Sequence, residues 1–142
     1  MSKGILSDSD RLEVVRYRLE KAARTYNEAV GAIDNGYSET ASNRLYYAAY
    51  YAVSALLIAY KYEANTHNGV IQMFGRAFIK TGIIEREYGK IFNQLFSLRM
   101  TGDYEDRHIM DMNEEVLPLV KPAQRLINVV SLMAKTEVGL EY

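Results

Sequence analysis

The sequence predicts an all-α protein: an up-and-down helical bundle of four main helices plus a short one. Three observations carry this expectation. Apolar residues recur at helical spacing along a long first segment, and a second segment is apolar on every side, as a central helix is. No stretch alternates apolar and polar residues in the manner of a half-buried strand. With 142 residues the chain has the size of one domain. Its core is expected over about 8–135, with a mobile tail over 136–142.

The first helix is expected over 9–33. Leu12, Val15, Leu19, Ala22, Tyr26, Ala29 and Ile33 succeed one another in steps of three and four residues, the stripe of an amphipathic helix. Ser7 or Ser9 offers an N-cap, and Gly36 stands where a helix stops. The second helix is expected over 38–62. Its centre reads NRLYYAAYYA, with four tyrosines in the six positions 46–51. Leu45, Ala48, Ala52, Ala55, Leu56 and Ala59 share one face, whose small side chains admit a close neighbour. Asn43, Tyr47, Tyr50, Ser54 and Leu57 share the other. Tyr46, Tyr50, Tyr51 and Tyr60 are expected as core or subunit-contact aromatics. Tyr47 is expected to be a large buried aromatic beside a site.

The cluster Asn65-Thr66-His67-Asn68-Gly69 predicts a turn, with Thr66 able to cap the helix after it. This third, short helix is expected over 70–80, and Gly82 separates it from a fourth over 84–100. Gly102 is expected to end that helix and turn the chain. An acidic, partly loop-like segment then leads into a last helix over 113–135, with Pro118 and Pro122 near its start.

Composition excludes several function classes. There is no cysteine, hence no disulfide, thiolate metal site or cysteine nucleophile. No glycine-rich phosphate loop and no HExxH pattern occurs, and no cofactor is expected. The opening MSKGILSDSD has no apolar core of a secretory signal, and no apolar run reaches the roughly 20 residues that span a bilayer. A cytoplasmic protein with no membrane partner is therefore expected. The net charge of −1 argues against non-specific nucleic-acid affinity as a way of life. Charge is unevenly spread, however: residues 11–24 hold five basic side chains against two acids, and 103–115 six acids against Arg107. Solvated faces account for both, as would patches that order a partner.

Three places stand out as candidate sites. Arg99 lies near the predicted end of the fourth helix, where a cation is favoured. Asp103 and Tyr104 are close enough in sequence to fold back on it. Such an arginine presents a guanidinium fork to a phosphate with a phenol alongside, or else simply pairs with Asp103 as a structural cap. Arg44, beside Asn43 and one turn from Tyr47, opens an apolar helix and needs a partner or water. His67 sits in a turn, where histidines are commonly exposed and inert. Asp103, Glu105, Asp106 and His108 form a loose acidic group that a flexible loop would also show, and no metal is assigned to it.

Taken together, the NRLYYAAYYAVSALL helix, the THNG turn and the LRMTGDY segment resemble the HEPN superfamily, in particular its small stand-alone prokaryotic members. The resemblance spans about 37–130 and rests on the order and spacing of these segments. It implies a helical bundle that usually forms a homodimer, with polar residues at the end of the fourth helix meeting their symmetry mates. Many members are toxin-type RNases carrying Arg, four to six residues, then His, and small members are often paired with a minimal nucleotidyltransferase as antitoxin. In some pairs a tyrosine near the arginine is modified with a nucleotide. Carried across, Arg99 matches the arginine, but its fifth successor is Tyr104 and His108 lies too far on. The departure matters, because an imidazole accepts a 2′-hydroxyl proton readily near pH 7. A phenol with a pKa of about 10 is ionised there about one part in a thousand, a cost of roughly 4 kcal/mol.

The expectation is thus a toxin-type effector acting on RNA or nucleotide phosphate through Arg99 and Tyr104. Asn43, Arg44, Tyr47, Asp103 and His67 are binding candidates, and a nucleotidyltransferase is the controlling partner. Two alternatives stand beside it: a non-catalytic module that binds a nucleotide or partner, and a purely structural bundle whose tyrosines give the core polar tips.

Overall fold

The computed structural model describes residues 6–141. Five helices succeed one another: α1 (Asp8–Asp34), α2 (Ser38–Ala59), α3 (His67–Phe74), α4 (Arg86–Tyr104) and α5 (Leu117–Val138). Helix α3 runs on as a wider π-type turn over Gly75–Ile79, and a similar turn over Met112–Val116 leads into α5. Among the described residues there is no strand.

Helix α2 is the axis of the bundle and packs against α1, α4 and α5. Its alanine-rich face, Leu45 to Ala59, is fully buried, as the small side chains require. Val15, Leu19, Ala22 and Ala29 of the α1 stripe lie against it, while Leu12, Tyr26 and Ile33 are only half-covered. Ser7 is the N-cap of α1, its hydroxyl accepting from the Asp10 amide at 3.1 Å. At the other end Gly36 takes a left-handed conformation (φ 77°), which costs glycine nothing and lets the chain reverse into α2.

A spine of rings fixes α3 and α4 onto α2. Tyr46 stacks on Phe92 at 5.9 Å between centroids, Phe92 meets Phe74 edge-on at 5.7 Å, and Phe78 meets Tyr60 at 5.0 Å. Tyr46, Phe74, Phe78 and Phe92 are buried, and each contributes about 2–3 kcal/mol.

Four expectations need correction. Gly102 does not end the fourth helix, which continues to Tyr104. Gly102 instead faces α2: a Cβ there would lie 2.9 Å from Ser42 Oγ and 3.0 Å from Met110 Cε. A glycine read as a stop is a place of close helix approach. The third helix starts at His67, three residues early, because Thr66 caps it by accepting from the Gly69 amide at 2.9 Å. The fully buried tyrosine is Tyr46, whereas Tyr47 keeps part of its surface. Helix α5 reaches Val138, where left-handed Gly139 closes it. Pro118 sits at its start, and Pro122 is accommodated inside it one turn later.

Candidate functional site

The site candidates converge where α2 crosses α4. Helical spacing explains why. Phe92, Leu95 and Arg99 lie on one stripe of α4, whose first members are core residues. Arg99 therefore stands where an apolar side chain would continue the seam, and it is carried into the bundle rather than into water. Its side chain is only 12% exposed. On α2, Asn43, Tyr47 and Tyr50 form the matching polar-aromatic stripe.

A buried guanidinium must find partners. Arg99 Nη2 donates to the Tyr47 hydroxyl at 3.0 Å. Its Nε lies 3.0 Å from Asp103 Oδ2, but the N–H is not aimed at that oxygen, so the contact is an ion pair rather than a hydrogen bond. Nη1 reaches only the Met100 sulfur at 3.5 Å, a weak acceptor. The same Asp103 oxygen accepts from Asn43 Nδ2 at 3.1 Å. Asn43 Oδ1 in turn accepts from Arg44 Nε and Nη2 at 3.0 and 2.7 Å, and Arg44 Nη1 is 3.2 Å from Glu28 of α1. A continuous polar relay thus links α1, α2 and α4.

Two cations approach the Tyr47 ring, the Arg44 guanidinium 5.3 Å and the Arg99 guanidinium 5.2 Å from its centre. Arg99 is also 5.5 Å from the Tyr46 ring and 5.9 Å from the Tyr104 ring. These are cation–π distances. Tyr104 itself is 65% exposed, so its phenol stands at the mouth of the cluster.

His67 arrives from the start of α3. Its Nδ1 is 2.8 Å from the buried Tyr46 hydroxyl. Its ring stacks on Tyr50 at 4.4 Å and meets Tyr47 edge-on at 5.4 Å. Burial, and then the Arg99 guanidinium, hold its pKa below the ordinary histidine value, which favours the neutral imidazole. Tyr46 is pushed up strongly, first by burial, and stays a neutral phenol.

Six of the seven candidates, Asn43, Arg44, Tyr47, His67, Arg99 and Asp103, are thus joined through one network, with Tyr104 at its edge. His108 takes no part: Nε2 is paired with Glu115 at 2.8 Å. Asp103, Glu105, Asp106 and His108 do not gather, and no metal-holding group of three acids or histidines exists among the described residues. Sequence reasoning missed Tyr46 as the hub and Glu28 as the partner of Arg44. Tyr46 had a visible signal, since Tyr46 and Tyr50 are one turn apart on a helix apolar all round. Glu28 had none, because an exposed acid on a long helix is commonplace.

Fold and cluster together define a helical bundle with an arginine-centred polar seam. The profile of the HEPN domain matches residues 15–133, so the chain belongs to the HEPN family. It is 36% identical over 107 residues to a UPF0332 protein of Thermotoga maritima, covering 75% of this chain and 80% of that one. It is 33% identical over 99 residues to "Putative toxin MJ0605" of Methanocaldococcus jannaschii, covering 70% of this chain and 74% of that one. To "Putative toxin MJ0142" of the same organism it is 31% identical over 87 residues, covering 61% and 59%. No helix among the described residues is long and apolar enough to cross a membrane.

Proposed function

We propose that this chain is a toxin-type HEPN effector that acts on RNA through Arg99 and Tyr104 and is held in check by a nucleotidyltransferase partner. The observation that supports this most is the position of Arg99. A guanidinium is carried into the bundle on an apolar stripe, held by Tyr47 and Asp103, and opens toward an exposed phenol. Such an arrangement suits a phosphate, which a planar fork grips in two places. The toxin names of two relatives agree with it.

In this reading Arg99 takes the phosphate, and Asn43 and Tyr47 keep the fork oriented. His67 supplies the imidazole that the Arg-x4-Tyr pattern lacks. In the tautomer whose Nδ1–H donates to the Tyr46 oxygen, one of the two that the 2.8 Å contact permits, Nε2 has its lone pair for the proton of a 2′-hydroxyl. The 2′-oxygen then bonds to phosphorus while the bond to the 5′-oxygen breaks, leaving a 2′,3′-cyclic phosphate. The departing 5′-oxygen takes a proton, which the Tyr104 phenol can give. A phenol is a poor base at pH 7 but a competent acid toward an alkoxide. Two copies meeting at the ends of their α4 helices would enclose the cluster; Met100, Tyr104, Ile109 and Leu117 leave apolar surface exposed there, Ile109 at 90%.

The test is expression of the chain alone, compared with Arg99→Ala. Growth arrest by the first and normal growth with the second is expected, whereas equal growth rejects the toxin reading. One observation favours a second reading, a non-catalytic nucleotide- or partner-binding module. The Arg99 fork is already engaged by Tyr47 and Asp103, while Tyr104 projects as a recognition or modification point. Purified chain that leaves RNA intact yet co-purifies with a nucleotidyltransferase selects that reading.

A further inference from the structure

The basic segment of α1 has no part in the chemistry above, yet it faces the tyrosines of α2. The Lys21 ammonium lies 4.6 Å from the centre of the Tyr51 ring and 5.9 Å from that of Tyr17. Tyr17 is 52% exposed. Tyr51 continues the series to Tyr50 at 5.8 Å and to Tyr47 at 5.9 Å, and Tyr47 leads to Arg99. Arg18 stands beside this row, donating to the Ser54 hydroxyl. A series of rings flanked by cations therefore runs from the middle of α1, across α2, to the arginine cluster.

We propose that this face is a stacking track for single-stranded RNA, leading it to the phosphate held by Arg99. The assignment of RNA rests on the function proposed above; the preference for a single strand rests on the track itself. Aromatic faces offer unpaired bases a stack that paired bases already possess, and flanking cations track the backbone. Lys21 and Arg18 supply positive charge along this row, while Arg44 and Arg99 at its end are paired with Glu28 and Asp103. A second copy is the poorer occupant. A twofold contact would set this face against itself and oppose like charges.

Fluorescence polarisation of a labelled oligouridylate, with the full chain, Tyr17→Ala and Lys21→Ala, tests the track. Tyr17 is an exposed side chain and Lys21 a half-exposed one, so unchanged melting temperatures are expected. Each variant should weaken single-strand binding about tenfold. Lys21→Ala should also lower the salt dependence, and an RNA duplex should compete poorly. Wild-type chain that ignores the oligouridylate, or variants that bind it as tightly as wild type, overturn the track. So does a variant that changes the sedimenting mass of the protein with RNA affinity intact, which would make this face a protein contact. The two proposals fail separately. Cleavage lost in Arg99→Ala but unchanged in Tyr17→Ala and Lys21→Ala at limiting RNA overturns the track alone. Tight single-strand binding that both track variants lose, in a chain whose expression leaves growth normal, upholds the track and overturns the toxin reading.

Discussion

Tyr46 does two jobs that the sequence run YYAAYY does not separate. Its ring is fully buried against Phe92, and its hydroxyl meets His67. Tyr46→Ala should therefore destabilise by about 3–5 kcal/mol. Tyr46→Phe keeps the ring and loses one hydrogen bond, about 1 kcal/mol; urea denaturation separates the two. Tyr47, half-exposed, should cost less on truncation than a buried aromatic does. His67 gives a pH signature. Its lowered pKa means that the unfolded chain takes up the proton first as pH falls through about 6.5. Stability linked to neutral His67 is thus present above that pH and declines below it, until the folded-state pKa is passed. His67→Gln should reduce the loss of stability between about pH 7.5 and about pH 5.5. A variant with the same loss as wild type would assign the acid sensitivity elsewhere.

At the scale of elements, the site depends on how α3 and α4 are set against α2. Thr66 fixes the first turn of α3 and with it His67. Thr66→Ala should cost about 1 kcal/mol and lower the melting temperature by about 3 °C. Gly102 lets α4 pass close to Ser42 and Glu39 of α2. Ser42 Oγ is held there by donating to the Glu39 carbonyl at 2.9 Å and cannot step aside without losing that bond. Gly102→Val should destabilise by about 2 kcal/mol through overpacking and pull Asp103 away from Asn43. A melting curve like that of wild type would show that the helices part without cost. These two elements also mark where the sequence misleads. A glycine after a periodic run signals a stop and a close approach equally, and only the partner helix decides. A polar cluster such as NTHNG signals a turn and a capped first helical turn equally.

For the molecule as a whole, helix number, order and the central place of α2 were legible, because stripes of three and four residues and an all-apolar helix are local signals. Arg99, Tyr104 and Arg44 were legible as candidates from their place in the helices, and the resemblance to a family added Asn43, yet their convergence was not. The distance from residue 43 to residue 103 in sequence carries no information about their contact. Nor was the place of His67 beside Tyr46 and Tyr47 legible, since loop and neighbour meet only in the bundle. Because burial raises the pKa of Tyr46, Tyr50 and Tyr60 in the folded state, their contribution to stability should hold up to about pH 10. Above that it should fall, as the unfolded chain ionises first; an alkaline titration of the melting temperature checks the sign. In the function proposed above, Arg99 holds a phosphate for reaction. The most direct test of this role is incubation of single-stranded RNA with purified chain and with Arg99→Ala, reading the new ends. 2′,3′-Cyclic phosphate ends are expected from the first and none from the second. Intact RNA with both proteins, or equal cleavage by both, would contradict the role.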